Sequence, residues 1–132
     1  MKEMAGVQIE TTSIGGRTYT IDALREHMDS IPTQELPLDV VRAAVGPQHA
    51  YWIDRNGNTL APFQILQDWE NAQKVEAWAD HVESIRRADL TRPIWITPNG
   101  AVFDGVHRLI RAVLENKPTI LVQIATDLPA VP

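Results

Sequence analysis

The stretch Phe103-Asp104-Gly105-Val106-His107-Arg108 holds the densest chemistry in the chain. A carboxylate, a glycine, an imidazole and a guanidinium fall within five positions, where an apolar segment gives way to a helical pattern. The first amides of a helix have no intrahelical partner and sit at the positive end of its dipole. Amides at Gly105, Val106, His107 and Arg108, with the His107 ring and the Arg108 fork beside them, therefore compose a phosphate site. Gly105 is expected to let a ligand come close to the backbone. Asp104 has two readings. It can cap the helix through the amides of Val106 or His107 and pair with Arg108 at i,i+4 spacing. It can instead turn outward and hold Mg²⁺, which bridges to phosphate oxygens. The two compete, because a capping carboxylate takes the donors that phosphate needs.

Other candidates are more scattered. Glu35 lies on an expected early strand and is either an acid–base group or an exposed strand residue. Arg92, Arg111 and Lys117 flank the motif as pocket cations or as plain surface charges, and Arg86-Arg87 near a helix end has the same two readings. His27, His49 and His81 show no i,i+4 pairing and no neighbouring carboxylate pattern, so none is read as a metal ligand. Trp78 belongs to a core stripe. Trp52 and Trp95 are read as packing residues, with stacking on a base as the alternative.

These residues need a scaffold. The first twenty positions show no helical or strand period and read as loosely structured. Thr20 caps a short helix from Ile21 to about Met28. Thr33 to Leu38 reads as an edge strand because of Pro37, and Asp39 as the cap of a helix through Ala44 that stops at Gly46-Pro47. Asn56-Gly57, flanked by Tyr51–Asp54 and Thr59-Leu60, predicts a hairpin with a type I′ turn. Pro62 opens a short helix to Trp69. Val75, Trp78, Ala79, Val82 and Ile85 form one stripe of a helix from about Ala72 to Ala88. Pro93–Thr97 and Ala101–Phe103 form a second Asn-Gly hairpin. Val106, Leu109, Ile110 and Val113 give the buried face of the motif helix. Asn116 is its left-handed end, and Pro118 blocks continuation. Thr119–Ile124 is a buried strand. The sum is an α+β fold, a small mixed β-sheet with flanking helices.

The 132 residues suit one domain. The start lacks the apolar stretch of a secretory leader, and no apolar run reaches the ~18 residues of a membrane helix. Cysteine is absent, which excludes disulfides and thiol chemistry. A cytoplasmic location is expected. A net charge of −5 argues against broad nucleic-acid binding.

The sequence "LTRPIWITPNGAVFDGVHRLIRAVLENKPTILVQI", Leu90 to Ile124, resembles the ParB/sulfiredoxin superfamily. With the early strand and the helix before Leu90, the resemblance covers about Ile31 to Ala125. It implies a domain at 31–126, an N-terminal extension with a short helix at 1–30 and an irregular tail at 127–132. It further implies nucleotide binding at the motif helix: ATP, as in sulfiredoxins and ParB-like free-serine kinases, or CTP, as in chromosome-partition ParB proteins. Gly105, His107 and Arg108 then contact phosphates, and Asp104 serves Mg²⁺ or catalysis. Glu35 matches the place of a kinase-type catalytic glutamate. Val106 replaces the reactive cysteine of sulfiredoxins, so that activity is excluded. Only about eight residues follow the last expected strand, which is expected to leave no room for the DNA-reading domains of partition proteins. The expected function is nucleotide binding, with phosphoryl transfer or nucleotide hydrolysis as the reaction class. The alternative is an interaction module of a mobile-element or partition-related system, and its acidic balance favours a protein partner over DNA.

Overall fold

The computed structural model describes residues 11–14, 17–46 and 50–127. The readings made for residues 1–10, Gly15-Gly16, Pro47, His49 and the tail beyond Asp127 lie outside them. The chain opens with an antiparallel pair, β1 (Thr11–Ile14) and β2 (Arg17–Thr20), where a loose segment is expected from the sequence. Helix α1 (Ile21–Met28) follows directly, and the Thr20 hydroxyl accepts the Ala23 amide at 3.1 Å as its cap. Next come β3 (Gln34–Pro37) and α2 (Leu38–Val45). Asp39 does not cap α2: Pro37 holds the N-cap position without a side-chain bond, and Asp39 lies in the first turn.

A short ribbon, β4 (Trp52–Ile53) and β5 (Thr59–Leu60), leads into α3 (Pro62–Gln67) and α4 (Trp69–Ala72). The expected long helix from 72 to 88 is broken. A 3₁₀ turn at Glu76–Trp78 precedes α5 (Ala79–Arg86). The ribbon docks on this turn: the Arg55 amide donates to the Ala77 carbonyl at 3.0 Å. Arg55 also grips the Asp80 carboxylate at 2.9 and 3.1 Å, which fixes the ribbon on the start of α5. β6 (Ile94–Ile96), β7 (Val102–Asp104), α6 (Val106–Leu114) and β8 (Thr119–Ile124) complete the fold. Asn116 ends the last helix with φ of +54°.

The central sheet has the order β3-β8-β6-β7. β6 and β8 run parallel, with Ile94 opposite Val122, and the other pairs are antiparallel. This is the mixed sheet of a small α+β fold, with β3 on an edge that tolerates Pro37. Neither Asn-Gly turn is of type I′, which needs positive φ at both residues. Only the glycines adopt it, Gly57 at +82° and Gly100 at +94°. Side-chain acceptors dictate the alternatives. Asp54 takes the amides of Asn56 and Asn58 at 2.9 and 3.0 Å, and Thr97 Oγ1 takes that of Ala101 at 2.9 Å.

Alternation along the strands separates two faces. Ile94, Ile96, Ile120 and Val122 are buried together with Val41 of α2, Ile65 of α3, Ile85 of α5, and Leu109 and Ile110 of α6. Trp95 and Gln123 point to the opposite face. Here α1 is anchored, because the Gln123 amide donates to the carbonyls of Met28 and Ile31 at 2.9 and 2.7 Å and accepts from Trp95 Nε1 at 3.0 Å. Buried Leu24, Met28 and Tyr19 make the N-terminal segment a structural layer. Gln123→Ala should strand all three of these partners and cost about 1–3 kcal/mol in chemical denaturation. Hydrogen exchange should rise first in α1.

Candidate functional site

Gly105 is the N-cap residue of α6, with φ of +100°. That replaces both sequence-based accounts of the junction. Asp104 is the last residue of β7 and caps nothing; the pairing half of its plain reading holds, with Asp104 Oδ2 3.6 Å from Arg108 Nη1. Gly105 borders a cleft, but the space of its missing side chain is taken up from within the fold. A Cβ at this position would lie 2.5 Å from Ile94 Cγ2 and 2.9 Å from Arg108 Nη1. Left-handed backbone and the close packing of Ile94 beneath it both require glycine. Arg108 folds over this junction and donates to the Pro93 carbonyl at 2.9 Å. Its side chain is 19% exposed and that of Asp104 is 43% exposed. One guanidinium hydrogen is committed to Pro93, which leaves the rest of the fork for a ligand.

Two clefts meet at this ridge. The first, about 330 Å³, is lined by Ser84, Arg87 and Asp89 near the end of α5, by Arg92, and by Asp104, His107 and Arg108. The second, about 510 Å³, lies between α1 and the open sheet face and shares Arg92, Asp104 and Arg108 with the first. Both volumes fall in the range of small-molecule sites. The first cleft gathers three guanidinium groups against two carboxylates. Asp89 is engaged by Thr91, whose hydroxyl and amide donate at 2.6 and 3.0 Å and hold the carboxyl below its usual range. Arg87 pairs with Glu83 at 2.8 Å. Arg92 makes no ion pair among the described residues.

His107 reaches the cleft from within a stack. Its ring lies 4.2 Å from Trp52 and that of His81 lies 4.5 Å from Trp52, both nearly parallel to the indole. The imidazoles are 5.3 Å apart, too close to occupy opposite faces, so they lie side by side on one face. His81 Nδ1 and His107 Nε2 are 3.0 Å apart, and His81 Nε2 is 2.8 Å from the Ile53 carbonyl. A carbonyl only accepts, so His81 Nε2 is assigned the hydrogen. With His81 neutral, Nδ1 is its lone pair, and His107 Nε2–H must donate to it. His107 is then left with a bare Nδ1. No buried side-chain nitrogen or oxygen among the described residues lacks a partner, and the ring bonds of His107 involve Nε2, so Nδ1 meets solvent. Burial first, then the electrostatic influence of His81 and of the Arg108 guanidinium, lowers the pKa of His107 from 6.5 to about 4. The ring is therefore neutral at neutral pH.

The remaining candidates separate. Glu35 is on β3, at the sheet edge opposite β7, two strands removed and roughly 14 Å away at ordinary strand spacing. There it accepts the Thr119 hydroxyl at 2.7 Å, a strand-edge role and not part of this cleft. Arg111 turns to a different cleft with Trp69 and Gln73, where it pairs with Glu115 and donates to the Arg86 carbonyl. Lys117 lies beyond the far end of α6 and sits 3.7 Å from Glu115. Val106 lines neither cleft, and its side chain is buried. Among the described residues, no group of three His, Asp or Glu side chains is placed to hold a metal. Sequence reasoning missed His81 and the role of Trp52. They lie 26 and 55 positions from His107, and only the ribbon docking on α5 brings them together.

The chain matches no protein-family model, no curated protein and no solved structure. No helix among the described residues is long and apolar enough to cross a membrane. The unfolded chain binds the His107 proton below about pH 6.5 and the folded chain only below about 4. Folding stability contributed by the neutral ring is complete above the upper value and is lost as pH falls through this window, on the order of 3 kcal/mol. Denaturation of wild type and His107→Gln across the window should show this slope in the wild type alone.

Proposed function

We propose that the protein binds a nucleotide, ATP or CTP, with its phosphates in the cleft between the end of α5 and the start of α6. One observation carries this reading. Arg87, Arg92 and Arg108 come from three separate segments and converge on one cleft large enough for a small ligand. Arginine forks match the paired oxygens of phosphate, and Arg92 makes no ion pair among the described residues. The resemblance of residues 90–124 to ParB/sulfiredoxin chains supports the same reading. The adjoining cleft, where Pro93 and Trp95 stand beside Arg25, Thr33 and Gln123, gives the rest of the nucleotide a mostly polar wall.

Asp104 is the residue that would hold Mg²⁺. It is exposed and faces both clefts, and its 3.6 Å pairing with Arg108 is loose enough for exchange. A single carboxylate is an ordinary protein share for this ion, which takes its remaining ligands from phosphates and water. The metal would supply charge neutralisation between carboxylate and phosphates. Phosphoryl transfer or nucleotide hydrolysis is the reaction class that fits such a ligand.

Thermal unfolding tests the reading. ATP or CTP with Mg²⁺ at a hundred times its Kd should stabilise the fold by about 2.7 kcal/mol, seen as a higher Tm. Arg108→Ala should remove the shift. Without magnesium, Asp104→Ala should strengthen nucleotide binding, and with magnesium it should weaken it. A flat response to every nucleoside triphosphate contradicts the reading.

A further inference from the structure

The hydrogen-bonded pair His81–His107 fixes more than a ring orientation. Both charge states follow from the Ile53 carbonyl, which keeps a hydrogen on His81 Nε2 throughout. In the neutral pair, His107 donates from Nε2 and presents a bare Nδ1. Add one proton, and there are two placements. If His107 takes it, the hydrogen is on Nδ1. If His81 takes it, His81 Nδ1–H donates to His107 Nε2, and the neutral His107 must carry its own hydrogen on Nδ1. Either way Nδ1 changes from acceptor to donor. The pair therefore behaves as one unit whose single readout is Nδ1 of His107.

We propose that this unit selects the protonation state of the anion in the arginine-lined cleft: while neutral, it admits an oxyanion that brings its own O–H, a protonated phosphate group, and disfavours one that has none. This rests on the cleft binding anions at all, and a nucleotide is favoured there in the form whose terminal phosphate still carries its proton, below about pH 6. A bare Nδ1 lone pair facing an unprotonated oxygen leaves two acceptors in contact, whereas a P–O–H oxygen donates to Nδ1 while its other oxygens meet Arg92 and Arg108. Once the pair carries a proton, the preference disappears because Nδ1–H donates to either anion. The charged groups around the pair set where this happens. Arg108 of α6, Arg87 at the end of α5 and Arg92 in the following loop oppose a further positive charge, as Asp104 of β7, Asp89 and Asp80 favour it; Arg55 of the ribbon already holds Asp80. Burial against Trp52 adds to the opposition.

Inorganic phosphate and sulfate are matched probes, similar in size and charge, and only phosphate keeps a proton near neutral pH. Their affinities for the full chain should be measured by calorimetry between about pH 5 and about pH 8 at constant ionic strength. Near pH 8, phosphate should bind roughly tenfold or more tightly than sulfate. As pH falls, sulfate should tighten by up to about tenfold per unit until the pair is loaded, while phosphate changes far less and the ratio narrows. His81→Phe keeps a ring on Trp52 but removes the nitrogen that fixes His107, and should reduce the discrimination near pH 8 with binding retained. Equal affinities for the two anions near pH 8 overturn the proposal and leave the anion cleft standing. Binding of neither anion overturns both.

Discussion

The hydrogen shared between His81 Nδ1 and His107 Nε2 joins three parts of the chain that nothing else brings to one point. His81 belongs to α5, His107 to the first turn of α6, and the carbonyl that orients them to the β4–β5 ribbon. Trp52 of the same ribbon covers both rings. The ribbon is in turn fixed by Arg55, through the Ala77 carbonyl and the Asp80 carboxylate. α5 and α6 pack together in the core through Val82, Ile85, Leu109 and Ile110, and Arg87, Arg92 and Arg108 face one space beside them.

A second constraint acts at the strand-to-helix junction. Gly105 must be left-handed for β7 to turn into α6, and it must lack a side chain for Ile94 to fill the space beneath. Arg108 then closes the junction from above, held by Pro93 and Asp104. The guanidinium is partly desolvated and already oriented, so a ligand that reaches it does not have to order a long mobile side chain. The same placement raises the cost of a positive charge on His107. Arginine-rich surroundings and a neutral imidazole are thus one arrangement, in which the cations both attract an anion and hold the ring unprotonated.

Much of the scaffold could be read from local pattern. The Thr20 cap, the Pro62 helix start, the buried stripe of α6 and the β-branched run of β8 each report a strong local preference, and tertiary packing agrees with it. The failures have physical causes. The two Asn-Gly turns went to other geometries because Asp54 and Thr97 offered nearby acceptors. The helix at 72–88 is interrupted at residues 73–75, and a distant amide, that of Arg55, bonds to the 3₁₀ turn that follows. At the site, Asp104, His107 and Arg108 were legible because the chemistry and the helix start coincide in five residues. His81 and Trp52 were not, since one hydrogen bond and a ring stack across 26 and 55 positions leave no period or spacing to find. Glu35, Arg111 and Lys117 are close to the motif by expectation or by sequence, yet Glu35 lies across the four-stranded sheet, Lys117 lies beyond the far end of α6, and Arg111, one turn past Arg108, lines a different cleft.

The central claim is that His107 presents a bare Nδ1 to an arginine-lined cleft because the ribbon fixes its partner. Nitrogen-15 NMR of the histidine rings in the ligand-free protein at neutral pH tests this most directly. The account predicts an unprotonated Nδ1 and a protonated Nε2 on His107, with His81 protonated at Nε2. A hydrogen on His107 Nδ1 at neutral pH, whether as the other tautomer or as a charged ring, would contradict it.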